Sequence, residues 1–353
     1  MSEHPRTSRP SLPALQAHTS IMSSQNTTRK NTPSDPPTLP FTVRLQLAFG
    51  LPLAILRGVF HPSNKHRSWR AAIQWSATRY MIGRSWRTPR EMAVALGVPT
   101  GEVYKTWAKG AKVEVRTEAV EVDADGVGHG GKLHWIGEKT LGKVVLHFHG
   151  GGFVLGPMEA MFAALYALKE DLRPTVGDVG FVALEYTLVP DAPFPTQLAQ
   201  ATAAINHLIT LGVSPSDLVL SGDSAGGNLV LQVLSHLLHP LTHPSVPPPP
   251  KLSAPLGGAL LISPWVHFGT SDPSFTSNAE ADIVPPSGWA NLARGCIPEV
   301  TEELRAYVEP ARAPAGWWGG LGGVVRRVLV TAGERESLVD MVVKMGSALQ
   351  EGE

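Results

Sequence analysis

The chain has little with which to cross-link itself or to attract a charged partner. It holds one cysteine, Cys296, in 353 residues, so an internal disulfide is excluded; that fits a reducing compartment. Cys296 stands in Gly-Cys-Ile-Pro with no histidine near it in sequence, and it reads as an inert thiol rather than a nucleophile. Neither sign of charge is in excess: 30 Lys and Arg balance 30 Asp and Glu. That balance argues against a nucleic-acid or acidic partner. No secretory apolar region opens the chain. These absences leave an intracellular protein, cytoplasmic or membrane-associated, with oligomeric state open.

The one sustained apolar run in the first hundred residues is short. Residues 45–56, between Arg44 and Arg57, interrupt it with Gly50 and Pro52. A spanning helix needs about 20 apolar residues, and an internal proline weakens a straight helix. Three readings stay open: a peripheral membrane contact, a wall of a substrate pocket, or a helix packed on the domain. Before this run, residues 1–40 are rich in Ser, Thr and Pro and read as a disordered tail. Basic residues outnumber acidic ones there, yet the amphipathic pattern of a transit peptide is absent. Residues 41–110, with Trp69, Trp75, Tyr80, Trp86, Tyr104 and Trp107 among helix formers, read as a helical cap; core packing is the ordinary use of such aromatics.

From residue 111 to 353 the rhythm becomes that of one catalytic domain. Lys112 to Val122 alternates apolar and polar, as a half-buried strand does. The apolar runs 144–148, 181–184, 218–220, 259–262 and 328–330 read as buried strands. Helical patterns lie between or after them at 197–211, 229–238 and 337–349, and the proline-rich stretch 240–250 is a surface connection. Strands alternating with helices predict an α/β fold: a mostly parallel sheet with helices on both faces.

Two motifs carry the chemistry. His149-Gly150-Gly151-Gly152 ends a strand and opens a loop. Successive glycines let backbone N–H groups turn toward a developing oxyanion. Gly151 and Gly152, with the N–H of Ala225, are the candidate donors. Neither a G-x-G-x-x-G spacing nor a P-loop lysine follows this loop, which argues against a nucleotide site. Further on, Gly222-Asp223-Ser224-Ala225-Gly226 is a G-x-S-x-G between a strand and a helix. That is the context of a nucleophile elbow, with glycines where Cβ atoms would not fit. Ser224 is the candidate nucleophile. His149 precedes it and reads as a brace of the loop.

On these motifs the chain resembles the hormone-sensitive lipase group of α/β-hydrolases over about residues 140–350. His149 to Phe153 matches the group's H-G-G-G signature, and Gly222 to Asn228 its G-D-S-A-G-G motif. Tyr186 to Pro195 resembles the Y-x-L-x-P-E-x-P-x-P segment, and Ser263-Pro264-Trp265 the stretch after the next strand. The cap is similar to that of fungal members that remove acetyl groups from sterols. The resemblance implies an α/β-hydrolase fold and a carboxylic-ester hydrolase acting on small or lipid-like esters through an acyl-enzyme. It implies no cofactor and no metal.

In this group the acid follows a late strand in a D-x-L-x-D pattern. Here the text is Glu336-Ser337-Leu338-Val339-Asp340. The resemblance places Glu336 on the acid position, with Asp340 as second candidate and Glu334 behind it. The group's histidine comes still later, after one more strand. No histidine follows His267 in this sequence, and His236, His239, His243 and His267 all precede the acid. The expectation is therefore a domain lacking its last strand and helix, as a truncated gene model would be. The alternative is a catalytically inactive α/β-hydrolase-fold protein that binds an apolar ligand or a partner. Without a base, a serine hydroxyl is a weak nucleophile near neutral pH.

Overall fold

The apolar runs pair into a single sheet in the computed structural model, which describes residues 39–120, 130–296 and 300–352. The tail read over residues 1–40 lies almost wholly outside the described residues. In chain order the elements are α1 (Phe41–Val59), α2 (Trp69–Gly83), α3 (Pro89–Leu96), α4 (Thr100–Ala111), β1 (Arg116–Ala119), β2 (Lys132–Trp135) and β3 (Val144–Phe148). Then come α5 (Glu159–Val176), β4 (Gly180–Glu185), α6 (Thr196–Thr210), β5 (Leu218–Asp223), α7 (Ala225–Leu238) and β6 (Gly258–Ile262). The last are α8 (Ser274–Ser277), α9 (Pro286–Cys296), α10 (Glu302–Val308), β7 (Val328–Thr331) and α11 (Val339–Gln350).

The strand order is β1-β2-β4-β3-β5-β6-β7. β1, β2 and β4 pair antiparallel; from β4 to β7 all pairs are parallel. Both faces are dry because alternate residues of one strand enter different clusters. Phe181 and Ala183 of β4 pack with Tyr104, Trp107 and Phe162. Val182 and Leu184 pack with Leu198, Leu229 and the rest of the larger core. A period of two with apolar residues on both sides is what a continuous apolar run encodes.

β2 has no counterpart in the sequence reading. Lys-Leu-His-Trp is four residues with no clear alternation; its partners on both sides hold it, through registers such as Leu133 with Leu184 and Leu133 with Glu118. A second difference lies in α1, which runs unbroken through Pro52. Pro52 sits on the exposed side, where water can solvate the carbonyl that loses its donor. The opposite side closes on α2: a Cβ on Gly50 would meet the Tyr80 hydroxyl and one on Gly58 the Ser76 hydroxyl. Packing of this kind outweighs propensity.

The helix ends follow local chemistry. Ser68 accepts from the Ala71 N–H at the start of α2, and Thr88 from the Glu91 N–H at the start of α3. Glu91 reaches back to the Arg87 N–H, and Pro89 fills the first turn, as proline does at that position. α1 contacts α2, and α2 and α3 contact α9, whereas α4 packs on α5. Tyr104 of α4 donates to the Trp135 carbonyl at 2.7 Å, tying that helix to the sheet. α11 begins two residues later than the periodicity suggests, and the Ser337 N–H ahead of it donates to Asp282 at 2.7 Å.

Candidate active site

The two glycine motifs touch. A Cβ on Gly226 would lie 1.9 Å from the Phe148 carbonyl oxygen, and one on Gly150 would lie 2.3 Å from Asp223 Oδ2. The strand β5 therefore delivers Ser224 directly beside the loop that leaves β3. Ser224 has φ 51° and ψ −115°, a strained geometry that a tight strand-to-helix turn imposes. Its own N–H donates to the Ile262 carbonyl, and its carbonyl accepts from Trp265 and Asn228. The residue is thus clamped through its backbone, with its side chain left at the N-terminus of α7, where developing negative charge is favoured.

Gly151 and Gly152 have φ of +114° and +61°. Only glycine takes the first of these without strain. A side chain on Gly151 would also strike the Leu155 carbonyl at 2.2 Å. The Gly151 carbonyl accepts from both Val154 and Leu155, closing the turn. Among the described residues, the N–H groups of Gly151, Gly152 and Ala225 donate to no acceptor. Orphaned donors are uncommon away from ligand sites.

A polar network joining residues of all three motifs to the distant Thr100 holds this loop. Asp223 accepts the Gly150 N–H at 2.9 Å, and its carboxylate lies 3.3 Å from His147 Nε2. Burial pushes the Asp223 carboxyl up, but His147, His149 and the Gly150 N–H outweigh it and hold the group below the ordinary range. His149 stacks on Tyr186 at 4.4 Å, and Tyr186 donates to the His149 carbonyl at 2.7 Å. Its ring nitrogens face the Gly150 carbonyl at 2.6 Å and the Thr100 hydroxyl at 3.0 Å. The first contact calls for Nδ1–H as donor, which leaves Nε2 to accept from Thr100. Full burial pushes His149 down to about 4. His149 is thus a neutral brace, 49 residues from a threonine that no motif would have linked to it.

The other histidines are engaged elsewhere. His236 meets the Pro247 carbonyl, His239 the Trp317 carbonyl, His243 the Ser245 N–H, and His267 the Asp272 carboxylate. Among the described residues, none hydrogen-bonds the Ser224 side chain.

The candidate acids separate by their partners. β5, β6 and β7 are neighbours, so Ser224 and the loop after β7 share the carboxyl edge of the sheet, two strand spacings or about 10 Å apart. Asp340 accepts the Ser274 N–H at 2.8 Å, which commits it to positioning α8. Glu336 is half-buried with its carboxylate against Gly333. No described residue donates to that carboxylate, although the Glu336 carbonyl accepts from Asn278. Glu334 is exposed. Among the described residues, no group of three His, Cys, Asp or Glu is placed to hold a metal ion.

A cavity of about 260 Å³ lies against the glycine loop, lined by Phe153, Val189, Phe194, Cys296, Val300 and Val308 among others. Cys296 Sγ lies 3.5 Å from the Gly152 carbonyl, and burial pushes its thiol up to about 12. The lining is mainly apolar, as small-molecule sites are. Leu292 of α9 covers the loop itself: a Cβ on Gly152 would meet its methyl group at 2.7 Å.

A family model described as the alpha/beta hydrolase fold matches residues 145–353, more than half of the chain. Among curated relatives, the chain is 29% identical to an acetyl-hydrolase of Streptomyces hygroscopicus over 147 residues, 40% of this chain and 42% of the relative. It is 32% identical to carboxylesterase NlhH of Mycobacterium tuberculosis over 145 residues, 40% of each. The chain thus spans about two-fifths of the length of these relatives. The crystal structure of an esterase from the bacterial hormone-sensitive lipase family matches with a TM-score of 0.55 and 23% identity, covering 79% of this chain and 84% of that one. That likeness shows the fold.

Proposed function

The chain belongs to the α/β-hydrolase fold family, and from that premise we propose that it is a carboxylic-ester hydrolase with Ser224 as its nucleophile. Ser224 Oγ attacks the ester carbonyl and its proton passes to a base. The charge that develops on the carbonyl oxygen is taken up by the N–H groups of Gly151, Gly152 and Ala225. Collapse of this intermediate expels the alcohol and leaves an acyl-enzyme, which water then hydrolyses. Glu336 orients the base and stabilises its charged form. The observation that carries the reading is the convergence of three N–H groups unpaired among the described residues, those of Gly151 and Gly152 on a loop packed against the strained serine turn and that of Ala225 directly after Ser224. Each such donor is worth about 10²–10³ in rate. The small apolar cavity favours short acyl chains, and the likeness to an acetyl-hydrolase and a carboxylesterase agrees with that class.

The base is the open component, and it defines the test. In an experiment on the purified 353-residue chain, p-nitrophenol release from p-nitrophenyl acetate is followed with and without added imidazole, beside Ser224→Ala. The expected result is slow release that imidazole accelerates only when Ser224 is present. Loss of a triad member leaves roughly 10³–10⁴ over the uncatalysed reaction in serine hydrolases. Identical progress curves for the two chains at every imidazole concentration would favour the second reading, a non-catalytic binder of apolar ligands. The specific observation behind that second reading is that His236, His239, His243 and His267 are each hydrogen-bonded to a partner other than Ser224.

A further inference from the structure

We propose that α1 and the start of α2 form a docking surface for an anionic lipid bilayer, with α1 lying in the plane of the headgroups. The outer side of α1 carries Phe41, Leu45, Phe49, Leu53 and Leu56, and Phe60 follows directly after it. Phe41, Phe49 and Phe60 are 76%, 73% and 79% exposed. Spaced three or four apart, these residues form one stripe. Isolated exposed apolar residues need no explanation, but a contiguous patch on a helix does.

Charge selects the occupant. Residues 41–90 contain nine Arg and Lys and no Asp or Glu, in a chain that holds 30 of each overall. Arg44, Arg57, Lys65, Arg67 and Arg70 are all exposed around the stripe. Trp69, 65% exposed, adds an aromatic suited to the headgroup layer. A cavity of about 460 Å³ beside α1 is walled by Arg57, Arg79 and Arg84, with Glu280 paired to Arg79 at 3.5 Å. Arg84 Nη1 there has no partner among the described residues. An apolar stripe rimmed mainly by cations matches acyl chains beneath anionic headgroups.

The same residues decide how the helix sits. α1 is long and apolar enough to cross a membrane by length and composition. Arg44 and Arg57, however, are 13 residues apart, about 20 Å along the axis, against a hydrocarbon core of about 30 Å. The inner side of α1 is also fixed to α2, through Gly50 against Tyr80 and a Tyr80 hydroxyl donated to the Gln46 carbonyl at 3.2 Å. A flat orientation keeps these contacts and buries the phenylalanines together. Since α2 packs on α9, and α9 covers the glycine loop, the docked surface adjoins the roof of the candidate active site.

Flotation with phosphatidylcholine vesicles, with and without about 30% phosphatidylserine, tests this without any activity measurement. The chain is expected to float with the anionic vesicles, less with neutral ones, and less in high salt. Each basic residue contributes about fivefold to such binding. Phe49→Glu is expected to lower the partition coefficient about tenfold or more. Val343→Glu, at an equally exposed apolar site on α11, should leave it unchanged. Circular dichroism melts establish that both variants fold. Absence of flotation, or equal flotation by Phe49→Glu, would overturn the proposal. So would a lipid-free dimer that Phe49→Glu converts to monomer without any effect on vesicles, since a second copy would then be what covers the stripe.

Discussion

Gly226→Ala isolates the contact between the two motifs. Gly226 has an ordinary backbone conformation, so alanine's intrinsic preference is not the issue; the added methyl group is. It would sit 1.9 Å from the Phe148 oxygen, 2.5 Å from the Phe148 carbonyl carbon and 2.8 Å from the His149 oxygen. Side-chain carbons rarely approach backbone closer than 3.0 Å, so a separation of at least 3.0 − 1.9 = 1.1 Å must be created. β3 cannot supply it, because Phe148 is paired with Leu184 on one side and Gly222 on the other. The shift must come from α7, which carries Ser224 at its start. Overpacking against a fixed backbone costs about 3 kcal/mol, the upper part of the usual range. For a domain of this size that lowers Tm by about 6 °C. A displacement near 1 Å should also reduce Ser224-dependent acylation about 10²-fold. The comparison is Gly346→Ala in α11, where nothing lies within 4 Å of the added carbon. There the helix gains about 0.5–1 kcal/mol and Tm rises. Thermal melts of both variants decide the matter. A Gly226→Ala chain that melts within about a degree of the parent and acylates as fast would refute the steric argument.

Two further outcomes follow from buried groups. His149 is held at about 4 against an ordinary 6.5, so below 6.5 the unfolded chain binds a proton that the folded chain refuses. Stability from this group is complete above pH 6.5 and lost as pH falls toward 4, by about 3 kcal/mol. Urea midpoints between pH 7 and pH 4.5 measure it, and a His149→Asn variant should lose that part of the slope. Cys296, the one thiol in the chain, is pushed up to about 12. It should react with iodoacetamide at pH 8 about a thousandfold more slowly than free cysteine, and at the normal rate in denaturant. Rapid alkylation of the folded chain would contradict the burial described for it.

The sequence by itself determined the order of the strands other than β2 and the tight strand-to-helix turn at Ser224, because both are local, whereas helices such as α5 and α9 were not read from it. A strand buried on both faces writes an unbroken apolar run. A turn too tight for Cβ atoms requires glycine at Gly222 and Gly226. The glycine loop at 150–152 is legible for the same reason. Tertiary structure alone decided what had no local pattern. β2 is a strand because β1 and β4 hold it, and α1 passes through Pro52 because α2 packs behind it. Thr100 reaches His149, and Asp223 reaches Gly150, across 49 and 73 residues. Asp340 and Glu336 are equivalent as letters; a hydrogen bond from the Ser274 N–H commits one and leaves the other's carboxylate unengaged. Side-chain identity records which groups are present, but the partner that fixes each group's charge and direction lies far along the chain, and only folding brings the two within 3 Å.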